Sequence, residues 1–216
     1  MKKVIVFDVD RTLVDSCESE IKSLKEAVEI VTGKPLDEEA VTRLMMVPTK
    51  VFFKSLNFSE EDIKRVYEEW DKTFQKYQTV VFPGLKEYIK RLKSDGHSIN
   101  IITSRNKEEY HELDKVLEDI SDCFDVVVTS DIIPNPKPNI DSMTYLCDKL
   151  SCTKEEVIYV GDSFVDKEFA NNCGSIFIPA CWENKDLAKD ENACFSVDDL
   201  IKLIDNLVKE KDGIVL

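Results

Sequence analysis

The chain has 216 residues, 43% hydrophobic and 33% charged, with a formal net charge of −14. That composition fits a globular protein long enough to bury a core, and the negative balance argues against nucleic-acid binding, which needs a basic face, and against docking on anionic lipid. Seven cysteines without a C-x-x-C pair, and only two histidines, argue for reduced thiols rather than disulfides or a His/Cys zinc site.

The first predicted element is a buried strand, Val4–Phe7, in an N-terminal stretch, MKKVIVFDVD, whose apolar run is too short for a signal peptide. No later stretch approaches transmembrane length, so a cytoplasmic location is expected. The strand stops abruptly at Asp8, and Asp10 follows two residues later. Strand side chains alternate with period two, so the two acids share a face. Carboxylates about 5 Å apart repel by roughly 3 kcal/mol at an effective dielectric near 20. A shared proton, a basic partner or a bound cation must offset this.

From Cys17 to Val81 the periodicity is helical and predicts no strand. One stripe runs Ile21, Leu24, Val28, Val31 and ends at Gly33; another runs Ile63, Val66, Tyr67, Trp70, Phe74, Tyr77 and opens at Ser59 as N-cap. Trp70 and Tyr77 read as core of this helical segment. Apolar runs at Ile99–Thr103, Phe124–Thr129, Val157–Val160 and Ser175–Ile178 then read as buried parallel strands. Between them lie helical faces: Leu85, Tyr88, Ile89 and Leu92, closed by Gly96; Tyr110, Leu113, Leu117 and Ile120; and Asn139 to Leu150. This alternation predicts an α/β fold, a Rossmann-like parallel sheet with helices on both faces. Residues 1–16 and 82–216 form the α/β core. Residues 17–81 form an α-helical cap domain, inserted at the carboxyl edge where such sheets bind ligands.

In this topology every strand ends on one rim. The residues placed there are Asp8, Asp10 and Thr12; Thr103, Ser104 and Arg105; Lys137 within PNPKPN; and Asp162 and Asp166 within GDSFVD. Taken singly, each has a plain reading: acids as turn formers, a Pro-rich turn with a solvated Lys, hydroxyls capping a helix near Asn106. Gly161 lets the chain turn off its strand, and Asp162 and Asp166 stack if a helix starts there. Their joint occurrence at successive strand ends points to one acidic site. Oxygen-only donors favour Mg²⁺ over zinc.

These stretches resemble the haloacid dehalogenase superfamily of phosphatases and phosphomutases: FDVDRTLVDS the first motif, IITS the second, PKPN the third and GDSFVD the fourth. The resemblance runs from Val4 to about Phe195, with the helical segment placed like that superfamily's cap. It implies that Asp8 is the nucleophile forming an aspartyl-phosphate and that Asp10 is the general acid–base. Thr103 and the Ser104 amide would bind phosphate with Lys137. Mg²⁺ would be held by Asp8, the Asp10 carbonyl and Asp162, with Asp166 in the outer metal shell or positioning Lys137. Thr12 would stabilise the first loop. The second acid marks phosphoryl transfer in this superfamily, so dehalogenation is disfavoured.

Two departures matter. Arg11 stands where the family usually has Gly, pointing either to solvent or toward the leaving group, where it would recognise an anion. In RLMMVPTKVFF, Met46 replaces the Gly of the usual substrate loop, and Lys50 is a candidate specificity residue whose plain reading is a solvated helix-start lysine.

The implied function is Mg²⁺-dependent hydrolysis of a small phosphorylated metabolite, phosphoglycolate-phosphatase-like, with no obligate protein partner evident. The alternatives are a phosphosugar mutase similar to β-phosphoglucomutase, a non-catalytic phospho-ligand-binding relative, and a phospho-acceptor signalling domain, which the helical insertion and PKPN fit poorly.

Overall fold

The structure, a computed structural model, describes residues 3–37, 40–41, 49–74, 76–77, 79–183 and 185–210. The chain divides into two compact units, one holding the chain up to Asp15 and from Val80 onward, the other Ser16–Thr79. In chain order the strands are β1 (Val4–Phe7), β2 (Val14–Asp15), β3 (Val80–Val81), β4 (Ser98–Ile102), β5 (Phe124–Val128), β6 (Val157–Gly161) and β7 (Ile176–Pro179). The helices are α1 (Cys17–Thr32), α2 (Thr49–Ser55), α3 (Glu60–Phe74), α4 (Leu85–Ser94), α5 (Lys107–His111), α6 (Asp114–Leu117), α7 (Asp141–Leu150), α8 (Phe164–Cys173) and α9 (Val197–Glu210).

The first unit is α/β and Rossmann-like. Its parallel sheet has the order β5-β4-β1-β6-β7. The strands are apolar on both faces, as a sheet covered on both sides requires. Ile5, Phe7, Ile99, Ile101, Ile158 and Val160 pack with α4 and α9. Val4, Val6, Val157, Tyr159 and Phe177 face the opposite way, onto α7 and α8. After β1 the chain builds β4 and β5 on one side, then crosses back to β6 on the other. The carboxyl ends of β1 and β6 therefore flank the point where strand order reverses, the ligand crevice of such sheets.

Two local expectations change. The apolar face Tyr110–Ile120 is not one helix but α5, α6 and a 3₁₀ turn, Glu118–Cys123. Leu113, Leu117 and Ile120 still enter the core, because a spacing of three to four also suits tighter turns. Val80–Val81, read within the helical stretch, pair antiparallel with Val14–Asp15, a two-residue ladder too short for periodicity to reveal.

The second unit is helical. Leu24, Ala27 and Val28 of α1 meet Phe52 and Phe53 of α2 and Ile63 and Val66 of α3. Gly33 ends α1 with φ 69°. Ser59 caps α3, its Oγ accepting from Asp62 N at 3.0 Å. Trp70 packs against this core and its Nε1 donates to Ser23 Oγ at 2.8 Å; Tyr77 OH donates to Glu26 at 3.0 Å. Met46 and Pro48 lie outside the described residues, and so does the side chain of Lys50, whose backbone is in α2. Among the described residues no helix is long and apolar enough to cross a membrane.

One polar side chain sits inside the sheet. Asn100, fully buried in β4, lies where the β4–β5 register shifts. Its Oδ1 accepts from Val126 N at 3.1 Å and its Nδ2 donates to Ser98 Oγ at 3.2 Å. Replacing one partner strands the other, at about 1–3 kcal/mol. Asn100→Leu is expected to lower the urea midpoint with an unchanged m-value; an unchanged midpoint refutes this account of the bulge.

Candidate active site

Asp8 follows β1 directly, and its N–H still donates to Val160 O at 2.9 Å, extending the ladder by one residue. It therefore keeps the facing of Val4 and Val6, toward the α7–α8 side. Val6 is in register with Tyr159, so the Tyr159 side chain lies on the same face. Lys137, in the loop after β5, reaches the same face. Its Nζ donates to Asp8 Oδ1 at 2.7 Å, to Asp166 Oδ1 at 2.8 Å and to Tyr159 OH at 3.1 Å. The Lys137 side chain is 5% exposed. It is no solvated turn lysine.

Asp166 completes the chain. Its Oδ1 also accepts from Tyr159 OH at 2.8 Å, and its Oδ2 accepts from Ser163 Oγ at 2.5 Å and Ser163 N at 3.2 Å. Ser163 is the N-cap of α8, and Asp166 is the third residue of its capping box. Asp162 therefore precedes the helix rather than stacking above Asp166 on it, which corrects the expected four-residue stacking. The two acids still converge: oxygens of Asp8, Asp162 and Asp166 lie within 4.8 Å of one another, all three residues buried. Gly161 is required by this packing, because a Cβ there would lie 2.6 Å from both Cβ and Cγ of Asp166.

The electrostatics follow. Burial pushes the Asp8 carboxyl well up, with Asp166 and Asp162 adding to it against the pull of Lys137. Burial would likewise raise Asp166, but Lys137 and the hydrogen bonds from Ser163 and Tyr159 hold it below the usual carboxylate range. Burial opposes the charge on Lys137, yet Asp166 and Asp8 keep it well above the ordinary lysine value. An oxygen-only, buried set of three carboxylates suits a hard divalent cation, whose charge would reverse the upward push on Asp8.

Asp10 stands apart from this cluster. Arg105 grips it through Nε to Oδ2 at 2.8 Å and Nη2 to Oδ1 at 2.7 Å. The loop carrying it is tied by backbone: the N–H groups of Leu13 and Val14 donate to Val9 O at 2.8 and 3.0 Å, and Arg11 N donates to Val14 O at 2.8 Å. Arg11 is half-buried with φ 58°, a left-handed conformation costing a residue with a Cβ about 1 kcal/mol or more. That is the physical reason glycine suits the position. Thr12 is fully buried in the same turn. Thr103, buried past β4, is not a helix cap: α5 starts under a capping box made by Asn106 and Glu109. Its Oγ1 accepts from Arg105 N at 3.1 Å. Ser104 is exposed.

Sequence reading missed two participants. Tyr159 looked like another apolar strand residue; β-strand parity with Asp8 was the available signal, once the pairing of β1 with β6 is known. Arg105 was placed on the rim without a role.

A family model described as haloacid dehalogenase-like hydrolase matches residues 5–180. A pyrophosphatase PpaX of Bacillus velezensis is 27% identical over 187 residues, 84% of each chain. A pyrophosphatase PpaX of Bacillus cereus is 24% identical over 214 residues, 94% of this chain and 96% of its own. Among solved structures, a Haemophilus somnus chain provisionally named a phosphoglycolate phosphatase superposes with TM-score 0.77 at 21% identity, covering 94% of this chain and 98% of that one. A Thermotoga maritima chain provisionally named a beta-phosphoglucomutase superposes with TM-score 0.75 at 23% identity, covering 95% and 99%.

Gly161→Ala is expected to displace Asp166 and loosen Lys137. It should destabilise by about 1–3 kcal/mol and cost phosphate-ester turnover about 10²-fold, measured by thermal denaturation and steady-state assay. Wild-type turnover in a folded variant would refute the close-packing argument.

Proposed function

The chain belongs to the haloacid dehalogenase-like hydrolases, and we propose that it is a Mg²⁺-dependent phosphatase of a small phosphorylated metabolite, working through an aspartyl-phosphate on Asp8. The observation that carries this reading is the buried Asp8–Lys137–Asp166 chain with Asp162 beside it. Seven free thiols accord with a reducing, cytoplasmic location.

Asp8 attacks phosphorus: its oxygen–phosphorus bond forms as the bond to the leaving oxygen breaks, and Asp10 gives that oxygen a proton. Asp10 then takes a proton from the attacking water, and cleavage of the Asp8–phosphorus bond frees inorganic phosphate. Lys137 neutralises charge on Asp8 and on the incoming phosphoryl oxygens. The Thr103 hydroxyl accepts from Arg105 N, which leaves its hydrogen to be given to a phosphoryl oxygen, alongside the Ser104 amide. Mg²⁺, held by Asp8, Asp162 and the Asp10 carbonyl, would supply charge neutralisation between nucleophile and phosphate. Asp166, whose two oxygens accept four hydrogen bonds, orients Lys137 from the outer shell.

Segment Ser16–Thr79 is proposed to act as the cap that selects substrate, with Lys50 and Arg11 as candidate specificity residues. The curated relatives named pyrophosphatase put inorganic pyrophosphate on the substrate panel beside phosphomonoesters. The structural neighbour named a beta-phosphoglucomutase supports a mutase as the second reading, separated by a coupled isomerisation assay with a hexose 1-phosphate.

With p-nitrophenyl phosphate and Mg²⁺, turnover is expected, with EDTA stopping it, Mg²⁺ restoring it and Ca²⁺ inhibiting. Asp8→Asn is expected to abolish turnover while circular dichroism stays native. No hydrolysis across a broad phosphate panel would replace the enzyme reading with a ligand-binding one. Asp10→Asn should cost ~10²–10⁴-fold in kcat on an alkyl phosphate; full activity would overturn the general acid–base assignment.

A further inference from the structure

Arg105 has no role in the reading above, yet it is built into the site from several directions. Its side chain is 11% exposed. Two of its nitrogens occupy both oxygens of Asp10. Its third, Nη1, donates to Glu109 O in α5 at 3.1 Å and stands 4.0 Å from Glu112 Oε2. Its backbone N donates to Thr103 Oγ1, and its carbonyl accepts from Ser130 N, past β5, at 2.9 Å. One residue thus links the loops after β1, β4 and β5 to the first turn of α5.

Asp10 needs such a partner. Its side chain is 30% exposed and hangs from a loop, with two torsions free to turn the carboxylate into water. A guanidinium fork in two parallel hydrogen bonds fixes the plane of the carboxylate as well as its place. A carboxylate has about four lone-pair sites; the fork uses two, and the rest stay open for the proton that Asp10 exchanges.

We propose that Arg105 is the positioning residue of Asp10, holding its carboxylate in the orientation from which the leaving oxygen is protonated and water is deprotonated. The proposal rests on the phosphatase reading and on Asp10 as its acid–base. In the first step the phosphorus–oxygen bond to the leaving group breaks while the proton passes from Asp10 to that oxygen; the carboxylate left behind remains in the fork. Arg105 acts through Asp10 and takes no part in the bond changes at phosphorus.

The test separates positioning from general structural support. Nitrophenolate leaves as a stable anion and needs little protonation, whereas an alkoxide needs its proton. With Mg²⁺ present, kcat/KM, which reports the steps through departure of the leaving group and not the later hydrolysis common to both esters, is measured for p-nitrophenyl phosphate and for an alkyl phosphate such as 2-phosphoglycolate, in wild type, Arg105→Ala and Arg105→Lys. Arg105→Ala should lose about 10-fold more kcat/KM on the alkyl ester than on the aryl ester, a part of the usual acid–base span. Arg105→Lys, which keeps charge but not the fork, should show the same selective loss to a smaller degree. In an Asp10→Asn background, Arg105→Ala should no longer change the alkyl-to-aryl ratio. Should Arg105→Ala fail to fold, Arg105→Lys carries the test by the same ratio. Equal losses on both esters, or an unchanged ratio, overturn the positioning role while leaving the phosphatase reading intact. Absence of wild-type turnover on both esters overturns both.

Discussion

A single buried ammonium organises the candidate site. Lys137 reaches Asp8 and Asp166 at once, from a side chain that is almost wholly out of water. Burial alone would strip its proton, and burial alone would protonate Asp8. Asp166 and Asp8 keep Lys137 charged, and Lys137 opposes the upward push on Asp8 without cancelling it. Breaking such a pair by deleting one partner costs about 3–5 kcal/mol, since the remaining charge is left buried and unpaired. The surroundings are correspondingly over-determined. Tyr159 hydrogen-bonds to both ends of the Lys137–Asp166 pair, Ser163 supports the other oxygen of Asp166, and the bare backbone of Gly161 makes room for it.

The sheet explains why this chemistry sits where it does. A parallel sheet covered on both faces leaves almost no place for polar side chains along its strands, and Asn100 is tolerated only because a register shift needs its amide. Polar groups therefore gather at strand ends. The reversal of strand order about β1 puts the ends of β1 and β6 side by side, and the connection from β5 to β6 carries Lys137 back to them. The low dielectric of the same apolar layers strengthens each charge interaction there.

The loop after β1 is held by a different device. Its turn closes on the carbonyl of Val9, so the backbone shape does not depend on a glycine at position 11. Arg11 accepts the left-handed conformation at a cost of about 1 kcal/mol or more. Its neighbour Asp10 is fixed from outside the loop, by Arg105. Two arginines thus stand beside the proposed acid–base, one by chain position and one by the fold.

Much of this was legible in one dimension. Period-two and period-3.6 patterns, with glycine and serine at helix ends, report on neighbours a few residues apart. They located β1 at Val4–Phe7, the other strands of the parallel sheet to within a residue, α1 with its Gly33 stop and α3 with its Ser59 cap. Strand ends are points on the same pattern, so Asp8, Lys137, Asp162 and Asp166 could be named as a set. What the pattern could not carry was partner choice over long separations. Asp10 and Arg105 are 95 positions apart, Lys137 and Asp8 129. Whether Asp10 joined the buried carboxylates or an arginine, and whether Tyr159 was core or hydrogen-bond donor, depended on which strands pair and in which register. The sequence by itself determined the strands of the parallel sheet, most of the longer helices and the rim, because those follow from local periodicity; only the tertiary structure decided which charges meet, because that is a matter of distance in space between groups the chain holds far apart.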